Sequence, residues 1–142
     1  MLLKTKPNLY KKSVFYKLLP MKPPIKVYIA GPYTSRDAEK RKENMQKARE
    51  IGTQIMKMGH HPYCPHTHTG TWEDSSGLAY EEFMQLHLTI LESWAEAMFF
   101  IGSSPGADRE KAKAEALGIP VFTSIEQFKE FATAMKPSPT GK

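Results

Sequence analysis

Apolar and polar positions change period along this chain in an ordered way. Lys26-Val27-Tyr28-Ile29-Ala30 is a short apolar run closed by Gly31-Pro32, which predicts a buried strand running into a loop. From Asp37 to Met58 the apolar residues Met45, Ala48, Ile51, Ile55 and Met58 recur at steps of three and four, one stripe of a helix closed by Gly59. His61 to Cys64 predicts a second strand despite Pro62. Residues 65–77 are polar and predict a long loop. Leu78 to about Ala95 is helical, with Phe83, Leu86, Ile90, Leu91 and Trp94 on its inner side. Ala97-Met98-Phe99-Phe100-Ile101 is the clearest strand. A helix from Pro105 to Leu117, a strand over Ile119–Phe122 and an amphipathic helix from Ser124 to about Met135 complete the pattern.

Strands alternating with helices imply βαβ units and a mainly parallel sheet with helices on both faces, a single-domain α/β architecture of flavodoxin-like or Rossmann-like type. In such sheets a ligand sits beyond the carboxyl ends of the strands, near a topological switch point. That rule selects two loops, Gly31–Arg36 and Gly102–Gly106. In the second, Ser104 and Pro105 suit the N-cap and first position of a helix. Within that helix Ala107, Glu110, Ala114 and Leu117 share a face, and the apolar members turn it inward. Glu110 is therefore a carboxylate on a buried stripe close to a positive helix N-terminus, either functional or half of a structural ion pair.

Composition narrows the function. The 142 residues suit one domain, and no run approaches the length of a membrane span. The net charge of +5 hints at nucleic acid, but Lys4, Lys6, Lys11, Lys12 and Lys17 in the acid-free first twenty residues account for all of it. The rest of the chain is neutral, so neither nucleic acid nor membrane is expected as a partner. Residues 1–23 are expected to be a basic, disordered extension, 24–135 the domain, and 136–142 a disordered tail. A single cysteine, Cys64, excludes an intrachain disulfide and fits a reducing, cytoplasmic setting, or a mitochondrial one if the extension is a presequence.

Gly102-Ser103-Ser104-Pro105-Gly106 matches G-x-S-x-G, yet no histidine follows Ser104, so a nucleophile elbow is excluded. There is no G-x-G-x-x-G after the first strand and no P-loop. Instead Gly31, Pro32, Tyr33, Thr34, Ser35 and Arg36 offer amides, hydroxyls and a guanidinium that could cradle a phosphate, or simply start a helix. His60, His61, His66 and His68 flank Cys64, but in no accepted metal spacing, and they are expected as loop or pocket-wall side chains with no metal and no cofactor.

Val27-Tyr28-Ile29-Ala30-Gly31-Pro32-Tyr33, with Ser104-Pro105-Gly106-Ala107-Asp108-Arg109-Glu110 and the later Ala114, Gly118, Ile119, Pro120 and Val121, resembles the nucleoside 2-deoxyribosyltransferase-like superfamily, near its 2'-deoxynucleoside 5'-monophosphate N-glycosidases. The resemblance covers about Lys26 to Phe122. It implies a flavodoxin-like fold and cleavage of an N-glycosidic bond, with Glu110 as nucleophile on C1' and Tyr28 positioning it. Ser104 stands where the monophosphate hydrolases carry a serine, which implies a nucleotide substrate held by Gly31–Arg36, His66, Ser104, Gly106 and Ala107.

The sequence departs from the family where an aspartate is usual, since His87 takes that place; it could be the acid that protonates a leaving base, or a packed core histidine. The alternatives are a nucleoside 2-deoxyribosyltransferase and a non-catalytic nucleotide-binding or sensing module. Subunits of the superfamily commonly complete each other's pocket. Apolar Phe83, Met84 and Trp94 are expected to exceed what so short a chain can cover, so a homodimer or larger even assembly is expected.

Overall fold

The computed structural model describes residues 23–135. The expectations for the basic extension up to residue 22 and for the tail 136–142 lie outside the described residues. Residues 24–129 form one compact unit that holds the whole sheet. Of a second unit, the described part is Pro23 and Glu130–Met135, and residues 130–134 are the last helical residues of the chain.

The elements follow the periodicity closely. Strand β1 is Lys26–Ala30, helix α1 Ala38–Lys57, strand β2 His61–Tyr63, helix α2 Pro65–Thr69 and helix α3 Tyr80–Trp94. Strand β3 is Ala97–Phe100, helix α4 Pro105–Ala116, strand β4 Val121–Phe122 and helix α5 Ile125–Ala134. Local chemistry sets the boundaries. Asp37 caps α1 by accepting the Glu39 N–H at 2.9 Å. Gly59, at φ +88°, follows Met58 in a conformation that a side chain would strain. On α3, Glu82 reaches back to the Ala79 N–H at 2.8 Å.

All four strands are parallel, in the order β2-β1-β3-β4. The chain runs from β1 to one neighbour, then crosses to β3 on the other side, so the switch point lies between β1 and β3. Tyr28 and Ala30 of β1 join Met98, Leu91 of α3, and Ala107 and Ala114 of α4 in one buried cluster. The opposite face carries Ile29, against which Gly52 of α1 packs, and Phe122, whose ring meets that of Phe128 edge-on at 5.8 Å. Helices therefore cover both faces, as the alternating pattern implied. Pro62 is tolerated because β2 is an edge strand.

Four expectations need correction. The stretch read as loop from residue 65 opens with α2, a single helical turn that Pro65 starts as the first residue after the Cys64 cap. Leu86 is 37% exposed, and α3 instead turns Phe83, Met84, His87 and Leu91 inward. Leu117 is 43% exposed, because α4 ends at Ala116 and the chain leaves through Gly118 at φ +74°. Phe83 and Met84 are covered by the chain itself, so they supply no surplus apolar surface.

Candidate active site

The carboxyl ends of β1 and β3 separate the loops that follow them, and the loops, α2, α3 and the first turn of α4 enclose a cavity of about 240 Å³. Its position is the one the topology dictates.

Glu110 forms its floor. One turn inside α4, it points back toward the sheet and is 5% exposed. The Tyr28 hydroxyl, from the middle of β1, donates to Glu110 Oε2. Burial pushes the Glu110 carboxyl up to about 7, against the opposing pull of that hydrogen bond. The Tyr28 phenol is raised far above its ordinary value, first by burial and then by the adjacent Glu110 charge, so it remains a donor. No Lys or Arg among the described residues pairs with Glu110, and its hydrogen-bond partner is the neutral Tyr28 phenol. The ion-pair reading of Glu110 finds no cation here.

The first turn of α4 forms one wall. Ser104 Oγ accepts the Ala107 N–H at 3.1 Å, and Pro105 brings no N–H of its own. The Gly106 N–H is thus left without an intrahelical acceptor by helix geometry. A Cβ at Gly106 would lie 2.7 Å from the Tyr80 hydroxyl, so a side chain there would push the end of that half-exposed ring aside. A bidentate pair of Arg109 with Glu81, both contacts at 2.8 Å, ties α4 to the first turn of α3 beside this wall.

The opposite wall comes from the β1 loop and α2. Gly31 closes it, since a Cβ would lie 2.8 Å from Ile101 Cβ. His66, almost fully buried, donates from Nε2 to the Gly31 carbonyl at 2.8 Å, and the Tyr33 ring stacks on it at 5.1 Å. Tyr33 in turn donates to the Gly70 carbonyl at 2.6 Å. Burial drives the His66 imidazole down to about 4, with the Gly31 bond resisting. His87 reaches the cavity from α3 and is likewise held down to about 4, by burial first and then by His68 and His66. Both are neutral imidazoles near neutral pH.

Of the residues singled out in the sequence, the structure brings Glu110, His87, Gly31, Tyr33, Thr34, His66, Ser104, Gly106 and Ala107 to the cavity lining, with Tyr28 directly beneath Glu110. Three do not line it. Pro32 packs beside Gly102. Ser35 accepts the Asp37 N–H through its hydroxyl and the Arg41 guanidinium through its carbonyl, so it serves the start of α1. Arg36 is exposed on the same turn. Glu73, Tyr80, Phe83 and Met84 also line the cavity and Thr69 stands behind His87; sequence reasoning missed all five as site residues. Among the described residues no group of three or more His, Cys, Asp or Glu side chains is placed to hold a metal. No described helix is long and apolar enough to cross a membrane.

Residues 25–124 match the family model described as Domain of unknown function (DUF7768), so the chain belongs to that family. The fold is shared with a solved 2-deoxyribosyltransferase from the psychrotolerant bacterium Bacillus psychrosaccharolyticus, described as a biocatalyst for the synthesis of antiviral and antitumoral nucleosides. That likeness has a TM-score of 0.53 and 19% sequence identity over 68% of this chain and 69% of the other. No curated protein sequence matches.

Proposed function

We propose that this member of the family cleaves the N-glycosidic bond of a (deoxy)nucleoside 5'-monophosphate, with Glu110 as the nucleophile. The observation that carries the reading is a buried carboxylate without a cation, hydrogen-bonded by Tyr28 on the floor of a cavity at the sheet's switch point. Keeping such a group charged costs stability, and chemistry is the reason to keep it.

The reaction balances simply. A Glu110 oxygen attacks C1' as the C1'–N bond breaks, and the electron pair leaves with the base, which takes up a proton. Water then adds to C1' and gives up a proton, which balances the one taken by the base, as the C1'–O bond to Glu110 breaks; the carboxylate is restored and a sugar phosphate is left. Tyr28, donating to Oε2, aims the other oxygen at the sugar. Ser104, with the positive end of α4 and the Gly106 N–H, suits the 5'-phosphate. His87 lines the same cavity as a neutral imidazole, suited to accept the proton that the attacking water gives up.

One observation supports a second reading. Among the described residues the cavity lining holds the carboxylates of Glu73 and Glu110 and no Lys or Arg. A dianionic phosphate is less welcome there than a neutral sugar, which supports a free nucleoside as substrate, the substrate that a deoxyribosyl transfer to a second base would use.

Incubation of the full chain with matched nucleosides and 5'-monophosphates, followed by chromatography, tests both. Free base from the monophosphates supports hydrolysis. Exchange of base between nucleosides moves the assignment to transfer. Binding of either with no base released in any mixture, and no difference from Glu110→Gln, defeats the catalytic reading and leaves a nucleotide-binding module.

A further inference from the structure

Behind His87 stands a chain of polar groups that the reading above does not use. Thr69, at the end of α2 and with no exposure, places its hydroxyl 3.2 Å from His87 Nε2. The same hydroxyl donates to Glu73 Oε2, with the Pro65 carbonyl a longer alternative at 3.4 Å. A threonine hydroxyl has one hydrogen to give. Glu73 Oε2 and the Pro65 oxygen are both acceptors, so that hydrogen goes to one of them, the close carboxylate being the stronger partner. What the Thr69 oxygen offers His87 is therefore a lone pair, and Nε2 must bring the hydrogen.

We infer that Thr69 is a positioning residue: it couples Glu73 to His87 and fixes that imidazole as the Nε2–H tautomer, which leaves Nδ1 as the nitrogen that accepts. His87 Nδ1 is buried and has no partner among the described residues, as this assignment requires of a bare acceptor. The other titratable groups around His87 are His66 and His68, which act on it electrostatically, and Glu110 across the cavity. None of them competes for Nε2. His66 reaches the same state by another route, since its Nε2–H is spent on the Gly31 carbonyl and its Nδ1 is unpartnered among the described residues. The site thus holds two imidazoles of one tautomer, each with a bare, buried Nδ1, and a ligand edge that reaches either has to bring an N–H or O–H donor. This consequence for the ligand rests on the function proposed above; the tautomer itself does not.

Long-range ¹H–¹⁵N spectra of the ¹⁵N-labelled full chain at pH 7.5 separate protonated from bare imidazole nitrogens, and His87→Asn assigns the signals. The expected pattern for His87 is a protonated Nε2 and a bare Nδ1. Thr69→Val keeps the shape and removes the lone pair, and should collapse that pattern toward the averaged shifts of a tautomer mixture. Thr69→Ser should restore it. Because buried Thr69 is a hazardous position for folding, Glu73→Ala provides a second arm: with the carboxylate gone only the longer Pro65 contact at 3.4 Å competes for the hydrogen, the hydroxyl can turn to donate to Nε2, and the Nε2–H signal should weaken. A wild-type His87 protonated on Nδ1 overturns the inference, as does an unchanged pattern in Glu73→Ala together with a folded Thr69→Val. A protein that releases no base but shows the expected tautomer defeats the glycosidase reading alone.

Discussion

At the scale of the residue, Glu110 decides most. Glu110→Gln keeps the volume and an acceptor for Tyr28 but removes the charge and the nucleophile. Base release should vanish, while binding of the nucleotide changes by no more than about tenfold, or ~1.4 kcal/mol. Stability should move the other way, with a definite pH dependence. The folded-state value of about 7 lies above the ordinary 4.5, so the folded protein holds a proton that the unfolded chain releases earlier. That contribution is fully present below pH ~4.5 and is lost as the pH rises through about 7. The loss amounts to about 3 kcal/mol for a shift of this size. Glu110→Gln should therefore gain on the wild type between pH 5 and 8, by roughly 10 °C in melting temperature across the range. His66 and His87 act with the opposite sign. Their folded values near 4 lie below 6.5, so the stability of the neutral rings is present above pH 6.5 and fades as the pH falls through 4. In the wild type Glu110 offsets part of this decline. In Glu110→Gln the loss on acidification should be steeper; calorimetric melts at half-unit pH steps would show equal slopes for the two proteins if the Glu110 assignment is mistaken, and a nearly flat Glu110→Gln profile if the histidine assignment is.

Elements, rather than residues, explain what the sequence disclosed. Long stripes are legible because twenty residues repeat one choice many times: α1 begins and ends within a residue of its pattern, from the Asp37 cap to Met58. The Ser104-Pro105 entry into α4 and the inward Glu110 are legible for a related reason, since cap, proline and stripe agree. Helix α2 is too short to show a stripe, and its one local sign was Pro65 following an extended residue. Thr69, Glu73 and Tyr80 join the site only through tertiary packing of a polar segment, which no periodicity encodes. The boundary residue Gly31 belongs to the same class, because its need for no side chain comes from Ile101, seventy residues away in sequence. Gly31→Ala tests it. The added methyl meets a Cβ, which cannot swing aside as a flexible side-chain end would, so the ends of β1 and β3 must part. The expected cost is about 1–3 kcal/mol, accompanied by loss of the His66 bond to the Gly31 carbonyl and a raised KM. Ser104→Ala should cost less, about 1 kcal/mol for a lost cap, and should weaken binding of a monophosphate more than of its nucleoside. Equal weakening of the two would remove Ser104 from phosphate recognition.

For the whole molecule the open question is association. The surplus apolar surface lies elsewhere than the sequence suggested, since Phe83 and Met84 are buried within the chain. Trp72 is 41% exposed, Leu78 49%, Tyr80 51% and Leu86 37%, all between the end of α2 and the middle of α3. Tyr80 also lines the cavity, so this apolar stretch adjoins the mouth of the site. A second copy of the chain covering it would bury the exposed rings and narrow that mouth together, whereas single exposed apolar residues scattered over a surface need no explanation. We therefore predict a homodimer or larger even assembly through the segment from Trp72 to Leu86. Light scattering at micromolar concentration should give at least twice the 16.1 kDa chain mass. Leu78→Glu with Leu86→Glu introduces charge at positions already half in solvent, so a monomer should tolerate the pair with a change within about 0.5 kcal/mol at each site. In an assembly the same carboxylates are buried across an interface and should dissociate it. Dissociation with lower kcat/KM but an intact fold would place the partner at the mouth of the cavity. A wild-type chain that scatters as 16.1 kDa would show that Trp72, Leu78, Tyr80 and Leu86 face solvent.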